Sequence, residues 1–444
     1  MTIYALSSGA GIAGVAVIRI SGPDAEKIVK KLIKGDFPDP RKATFKKIYN
    51  IKYNTLIDEG IIIWFPGPES YTGEDMAEIH VHGSIAVINA LHDCLSKIEN
   101  CRLAEPGEFS KIAFTNGKIN LLKAESISDL ISSETEIQRQ QAINLMNGVH
   151  SKKYNQWRAD LLNVLSKVEA KIDFPDEDLP EQILSGIRKK VEVVQSEINK
   201  TLDDNRVGER IREGFKIAIL GPANAGKSSL LNYLSKREVA IVSEVAGTTR
   251  DVIETHLNLN GYPVVLSDTA GIRESKDEIE KKGVKLSLKT AENADLKIVV
   301  IEPKSAYFTG VLKGLIKAEN TILVINKSDL GVDNIIDNFK TYNPIYISIK
   351  NEQNLNKLIL EIKNRLKNKF FVKEHTLITR ERHRRNLEDC INYLHNFKLK
   401  DSDEDFDKAA EDLRLAIRSL GKIVGKVDVE EVLGSIFNDF CIGK

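Results

Sequence analysis

The chain has 444 residues, enough for about two to four domains with a core in each. Basic and acidic side chains balance at 64 each, which excludes a chain-wide cationic surface and leaves any nucleic-acid contact to a local patch or a partner. Cys94, Cys101, Cys390 and Cys441 show no Cys-x-x-Cys spacing, no run of 18 apolar residues occurs and the start lacks a basic leader, so the expectation is a soluble, cytoplasmic protein with no membrane contact, no zinc and no disulfide framework.

Residues 1–117 carry short β-rich runs at 15–20, 61–65 and 77–82, with turn signals such as Pro66-Gly67-Pro68 between them. Helical stretches at 25–32 and 85–98 alternate with these runs, which predicts an α+β domain. His80 and His82 fall on one face of a strand, and without a third ligand they read as packing or polar surface. From residue 119 the apolar period becomes helical, through Ile127, Leu130 and Ile131, then Ile137, Ala142 and Leu145, then Trp157, Leu161, Leu165 and Val168, until Asp173-Phe174-Pro175 breaks it. A charged helix is predicted over 181–206. Helix period returns after 370 in Leu387, Ile391 and Leu394, in Leu413, Ala416, Ile417 and Leu420, and in Leu433, Ile436, Phe437 and Phe440. The simplest organisation is a multidomain chain, with an α+β domain at 1–117 and a helical domain at 118–212 and 371–444 interrupted by an inserted α/β domain at 213–370.

Within the insert, strands are predicted near 215–220, 252–259, 262–267, 296–301, 321–326 and 344–348, with Asn260-Gly261 as a two-residue hairpin between the second and third. That pattern predicts a doubly wound, six-stranded, mostly parallel sheet with one antiparallel strand. Four segments sit on it: Gly-Pro-Ala-Asn-Ala-Gly-Lys-Ser at 221–228, Gly-Thr-Thr-Arg-Asp at 247–251, Asp-Thr-Ala-Gly at 268–271 and Asn-Lys-Ser-Asp at 326–329. Taken singly, the first is a glycine-rich turn and the last a surface turn. In this order and spacing they read as a GTP-binding domain.

The first segment lies between an apolar strand and a helix, the context of a phosphate loop. Gly221 and Gly226 let backbone N–H groups turn toward phosphates, Lys227 adds a charge for the β- and γ-phosphates, and the Ser228 hydroxyl is placed for Mg²⁺. Thr249 supplies a second hydroxyl for the metal, and Asp268 holds it through water. Asn326 and Asp329 decide the base, because the carboxylate can accept two N–H bonds from the guanine edge and would be left unpaired by adenine. The GTP-binding set is therefore Asn224, Ala225, Gly226, Lys227, Ser228 and Ser229, then Ser243, Thr248 and Thr249, then Asp268, Thr269, Ala270 and Gly271, and finally Asn326, Lys327 and Asp329. Ser348-Ile349-Lys350 occupies the place of a last guanine-contacting loop. Small GTPases carry a water-orienting Gln after the Asp-Thr-Ala-Gly glycine, whereas this chain has Ile272. Either hydrolysis is slow or another residue orients the water, and Glu278 and Glu280 follow on a helix predicted to begin near Asp277.

The outer segments, Pro66-Gly67-Pro68-Glu69-Ser70-Tyr71-Thr72-Gly73-Glu74-Asp75-Met76, Pro106-Gly107-Glu108-Phe109, Asn116-Gly117-Lys118, Ile172-Asp173-Phe174, Thr379-Arg380-Glu381-Arg382-His383 and Cys441-Ile442-Gly443-Lys444, together resemble the MnmE (TrmE) family of tRNA modification GTPases over essentially the whole chain. The resemblance implies a homodimer that works with a flavoprotein, MnmG, carrying FAD, in a heterotetramer. Such proteins place an aminomethyl or carboxymethylaminomethyl group on C5 of the tRNA wobble uridine, with the one-carbon unit from 5,10-methylenetetrahydrofolate. By the same resemblance Arg19, Glu78, Lys118 and Lys444 bind the folate and Cys441 is a thiol near the one-carbon centre. Asn224, Ser243, Val245 and Thr248 hold K⁺, and Glu280 is the catalytic, water-positioning acid that Ile272 leaves to be found. The chain departs from the family pattern at Ser7-Ser8-Gly9-Ala10-Gly11-Ile12, where a proline and an arginine are usual. Two other readings share the central motifs: a ribosome-assembly GTPase of the Era-like group, and a folate-dependent aminomethyltransferase with a regulatory GTPase.

Overall fold

In the computed structural model the described residues are all of 1–444 except 10, 174–180, 223, 238–239, 242–253, 260, 269–288, 304–313, 315, 332–338, 370–375, 401–405, 428–432, 434–435, 438–439, 441–442 and 444. The chain divides into two compact units, one of residues 1–128, 145–184 and 393–444, the other of residues 129–144 and 185–392.

The first unit is built on a six-stranded sheet of β1 (Thr2–Leu6), β2 (Ala13–Ser21), β3 (Thr44–Tyr49), β4 (Leu56–Phe65), β5 (Met76–Gly83) and β6 (Cys101–Leu103), in the order β3-β4-β5-β2-β1-β6. All neighbours are antiparallel except β1 and β6. Alternation sorts the two faces. Ala16, Ile18 and Ile20 of β2 and Ile79 and Val81 of β5 are buried with Ile28, Val29 and Leu32 of one helix and Leu91 and Leu95 of another, while Val17 and Arg19 turn to the opposite face.

The helix Ala25–Leu32 forms because its apolar residues recur at 25, 28, 29 and 32, with Glu26 in the first turn and Lys30 and Lys31 in the last. Ser84 caps the helix Ile85–Ser96, its hydroxyl accepting from the Val87 N–H at 3.1 Å. The other face of the sheet packs Ile3, Ala5 and Met76 against Phe109 of the helix Glu108–Thr115. In the helical part, Val149–Asp173 lies along Phe406–Val424 with Tyr154 and Trp157 buried, their rings 5.8 Å apart edge to face. Ile436, Phe437 and Phe440 close a further cluster with Ala113, Leu121 and Ala124.

The second unit carries the α/β sheet. Its strands are β7 (Phe215–Leu220), β8 (Ala240–Ile241), β9 (Glu254–Leu259), β10 (Tyr262–Asp268), β11 (Leu296–Ile301), β12 (Thr321–Ile325) and β13 (Ile345–Tyr346), in the order β13-β12-β11-β7-β10-β9-β8. Among the described residues the sheet has seven strands rather than the expected six, because Ala240–Ile241 adds an antiparallel edge opposite Leu257 and His256. Two residues are too short to show any period in a sequence. The one strand antiparallel to the rest is β9, joined to β10 across Gly261, whose φ of +93° and N–H bond to the Asn258 side chain complete the hairpin.

Apolar residues fill both faces, with Leu230 and Leu234 of the helix Lys227–Arg237 and Leu358, Ile362 and Leu366 of the helix Leu355–Lys369 on one side. The charged helix expected over 181–206 ends at Leu202. Asn205 and Arg206 take φ of +52° and +56°, held by an Arg206 N–H bond to the Asp204 carboxylate, and a second helix, Val207–Glu213, follows. That short helix is fixed by ion pairs: buried Glu209 with Arg384, Arg210 with Asp295 at 2.5 Å, and Arg212 with Asp129 at 3.0 Å. Among the described residues no helix is long and apolar enough to cross a membrane.

Candidate functional site

Strand register places the nucleotide motifs on one edge. Asp268 pairs with Ile219, Leu220 with Val299 and Ile325 with Ile301, so β7, β10, β11 and β12 run parallel and end together where the 221–228 and 326–329 segments begin. Loops at the carboxyl ends of such strands are where doubly wound sheets bind ligands.

Between those loops lies a cavity of about 610 Å³ lined by Asn224, Gly226, Lys227, Ser228 and Ser229 on one side and Asn326, Lys327, Asp329, Ser348, Ile349 and Lys350 on the other. Two larger hollows, of about 690 and 760 Å³, open near Leu296 and Thr321 at the opposite, N-terminal ends of the strands. They contain no phosphate loop, and the convergence of motifs decides for the smaller one.

The phosphate loop is shaped by backbone conformations that exclude a side chain. Gly221 has φ +145°, and a Cβ there would lie 2.0 Å from the Val300 carbonyl oxygen. Gly226 has φ +99°, and a Cβ there would lie 2.2 Å from Asn326 Nδ2. Asn224 takes φ +64°, a conformation asparagine tolerates. Lys227 is buried and its Nζ donates to the Pro222 carbonyl at 2.9 Å, so the ammonium bends back over the loop at the positive end of its own helix.

Asn326 does more than the sequence indicated. Its buried amide donates to the Ala225 carbonyl at 2.8 Å and accepts from the Ile349 N–H at 3.3 Å, so one side chain joins the phosphate loop, the Asn-Lys-Ser-Asp loop and the 348–350 loop. Lys327 sits at φ +59° and its ammonium pairs with Glu302, a partner outside every motif. Asp329 is exposed to the cavity. Val245, Ser243, Thr248, Thr249, Thr269, Ala270, Gly271 and Glu280 lie outside the described residues, and of Asp268 only the backbone is described.

In the first unit, register sets Arg19 of β2 opposite Glu78 of β5. The guanidinium gives the carboxylate two bonds, from Nη2 at 2.8 Å and Nε at 3.2 Å, and Nη1 donates to the Gly443 carbonyl at 3.2 Å. Ser7 Oγ donates to the same carbonyl at 2.9 Å. The terminal segment comes this close because Gly443 has φ +96° and no Cβ, which would meet the Leu6 carbonyl oxygen at 2.3 Å.

Tyr71 and Phe109 each hold the Arg19 guanidinium carbon 5.7 Å from the ring centre, and neither was singled out as a site residue from sequence. Burial pushes the Tyr71 phenol up, against the pull of its Ser110 hydrogen bond and the Arg19 charge, so it remains protonated at neutral pH. His80 Nε2 stands 3.5 Å from Glu78 Oε2, and His82 Nδ1 lies 2.9 Å from Asp58 Oδ1. Lys118 is placed differently, with Nζ 4.0 Å from Glu69 and its stem beside Gly73. Cys441 and Lys444 lie outside the described residues.

A phosphate loop on β7 and an Asn-Lys-Ser-Asp loop on β12, facing one cavity of a doubly wound sheet, define a guanine-nucleotide-binding protein of the phosphate-loop class. The family described as MnmE helical domain matches residues 121–441, and that described as GTP-binding protein TrmE N-terminus matches residues 2–118. A protein of Pelagibacter ubique named tRNA modification GTPase MnmE is 67% identical over 444 residues, covering 100% of both chains. Proteins of the same name from Rickettsia bellii and Parvibaculum lavamentivorans are 46% and 45% identical, also over 100% of each chain. The chain belongs to the MnmE family.

Proposed function

We propose that the chain hydrolyses GTP as a component of tRNA modification, placing an aminomethyl or carboxymethylaminomethyl group on C5 of the wobble uridine. The observation that carries this reading is the joining of the phosphate, base and 348–350 loops by the Asn326 amide, in a chain whose full-length relatives bear the name tRNA modification GTPase. In this reading Lys227 and the loop N–H groups bind phosphate, Ser228 and Thr249 hold Mg²⁺, and Asp329 selects guanine. Magnesium would neutralise charge on the phosphates. Glu280 orients water, and Asn224, Ser243, Val245 and Thr248 hold K⁺, which supplies a positive charge where no arginine finger is used.

The first unit fits a tetrahydrofolate. Arg19 and Glu78 present donors and an acceptor half-buried beside the Tyr71 and Phe109 rings, suited to a flat ligand with a polar edge and an anionic tail, and Lys118 adds a cation. Bound there, 5,10-methylenetetrahydrofolate would supply the one-carbon unit. The reading includes a homodimer, a flavoprotein partner of the MnmG type carrying FAD, and a cytoplasmic location. Mass spectrometry of tRNA nucleosides from a strain depleted of this protein tests it. Loss of the C5 group at the wobble uridine is expected, and an unchanged nucleoside profile overturns it. Faster GTP hydrolysis in KCl than in NaCl at equal ionic strength is the matching expectation for the cation site.

A further inference from the structure

A chain with no net charge gathers a strongly basic segment in one place. Residues 27–53 hold nine Lys and Arg, at 27, 30, 31, 34, 41, 42, 46, 47 and 52, against Asp36 and Asp39 alone. In the fold this segment is the end of the helix Ala25–Leu32, the edge strand β3 and the turn that follows it. An antiparallel bridge between Ile33 and Ile48 ties helix end to strand edge, and Lys34 Nζ lies 4.1 Å over the Tyr49 ring. Lys52 Nζ lies 5.2 Å over Tyr53, and Tyr53 is 62% exposed.

Lys27, Lys30, Lys42 and Lys47 have carboxylate neighbours in Asp24, Glu26, Asp39 and Glu59, in exposed pairs that hold a lysine only weakly. Lys31, Lys34, Lys46 and Lys52 have no carboxylate partner among the described residues. Lysines in a last helical turn complement the helix dipole, and lysines on an edge strand keep it from pairing with another sheet. Those roles account for Lys31 and Lys46. They do not account for Lys34 and Lys52 lying over tyrosines.

Point charges gathered around one sheet edge, two of them over tyrosine rings, match a phosphate backbone whose unpaired bases can stack. An acidic protein would ask instead for interspersed donors and an apolar centre. We propose that Lys31, Lys34, Lys46 and Lys52, with Tyr49 and Tyr53, form a surface on which the phosphate backbone of the tRNA substrate docks. The proposal rests on the reading of the chain as a tRNA-modifying enzyme and adds where the RNA is held.

The test is the full-length protein with Lys31→Gln, Lys34→Gln, Lys46→Gln and Lys52→Gln together, titrated with an unmodified tRNA transcript over a range of KCl. Affinity at low salt should fall about tenfold or more, and the slope of log affinity against log salt should shrink by about two to four, near one for each phosphate that is no longer neutralised. GTP hydrolysis should not change. Tyr53→Ala should weaken binding without altering the slope. Unchanged affinity and slope in the fourfold variant overturn the proposal, as does a variant that aggregates while its soluble fraction binds tRNA as before, since edge protection alone predicts that. Loss of binding to anionic phosphatidylglycerol vesicles with tRNA binding intact would assign the surface to a membrane and also overturn it. The nucleoside profile of the depleted strain is independent of these titrations, so failure of the enzyme reading and failure of the docking surface are seen separately.

Discussion

In the nucleotide site the shape is set by backbone turns at Gly221 and Gly226 and by one buried amide, whereas the Arg19–Glu78 site exists only because β2 and β5 pair in a register that sets these two side chains opposite each other. The first kind of site is contiguous in sequence. Eight consecutive residues carry its phosphate loop, and four carry its base loop. The second draws on residues 7, 19, 71, 78, 109 and 443, which no spacing rule connects. A site made from backbone in a short loop leaves a local signature, and a site made from side chains across a sheet leaves one only through resemblance to relatives.

The largest effect should come from filling the space that the loop keeps empty. Gly226→Ala adds a Cβ at φ +99°, 2.2 Å from a buried amide nitrogen that cannot swing away without releasing the Ala225 carbonyl and the Ile349 N–H. Backbone strain of about 1–3 kcal/mol and the breaking of a buried hydrogen bond at about 1–3 kcal/mol together predict a fall in GTP affinity of about 10²-fold or more. Tetrahydrofolate binding, read by the same calorimetry, should not change. A variant with normal GTP affinity would mean that this glycine is not what shapes the loop.

Glu280→Ala comes next and separates binding from chemistry within the nucleotide site. If Glu280 takes over the water-orienting task that Ile272 cannot perform, hydrolysis should drop about 10²-fold with GTP affinity nearly intact, as is usual for removal of one catalytic group. Unchanged single-turnover rates would return the question to Glu278 or to intrinsically slow hydrolysis.

The same contrast governs how much was legible beforehand. Helix 25–32 and strands 215–220 and 296–301 stand where periodicity put them, because each is long enough to repeat its pattern. Ala240–Ile241 was invisible, since two residues have no period. The break at Asn205-Arg206 was missed, although Asp203-Asp204-Asn205 is turn chemistry; the turn is held by the Asp204 carboxylate and by Arg384, which bonds both that carboxylate and the Leu202 carbonyl, a partner distant in sequence. Asn326 was legible as a base-loop residue, but its role in joining three loops depends on the 348–350 loop coming alongside, which is a tertiary fact. Tyr71 and Phe109 lie within segments that carry the family resemblance, yet nothing in those segments says that both rings face Arg19.

A middling effect should follow from breaking the register-made site. Glu78→Gln removes the charge that Arg19 meets while keeping a hydrogen-bond acceptor, and Arg19 retains the Gly443 carbonyl and two rings. Tetrahydrofolate affinity should fall about tenfold to a hundredfold, the cost of losing a charge-assisted hydrogen bond, with GTP hydrolysis unaltered. If folate binds equally well, the pair is a strand-end ion bridge and no more.

The smallest effect should come at Glu108, in the first turn of the helix that presents Phe109. Burial pushes its carboxyl up, but hydrogen bonds from Arg102 and the Glu105 N–H, with the Arg102 and Lys111 charges, outweigh burial and hold it below the usual carboxylate range. A carboxyl depressed in the folded state stabilises above its unfolded value of about 4.3, and that contribution is lost as pH falls through the folded value. Glu108→Gln still accepts from Glu105 and suits a helix start, so the variant should unfold slightly lower than the parent at pH 7. The gap should narrow as pH falls below the unfolded value, because the stabilisation from the charged carboxylate is then progressively lost. The shift should be about 1–3 °C in the thermal transition, in keeping with one partly exposed ion pair in a large chain. A gap that does not narrow at all as the pH is lowered would show that Glu108 contributes through packing at the helix start and not through its charge.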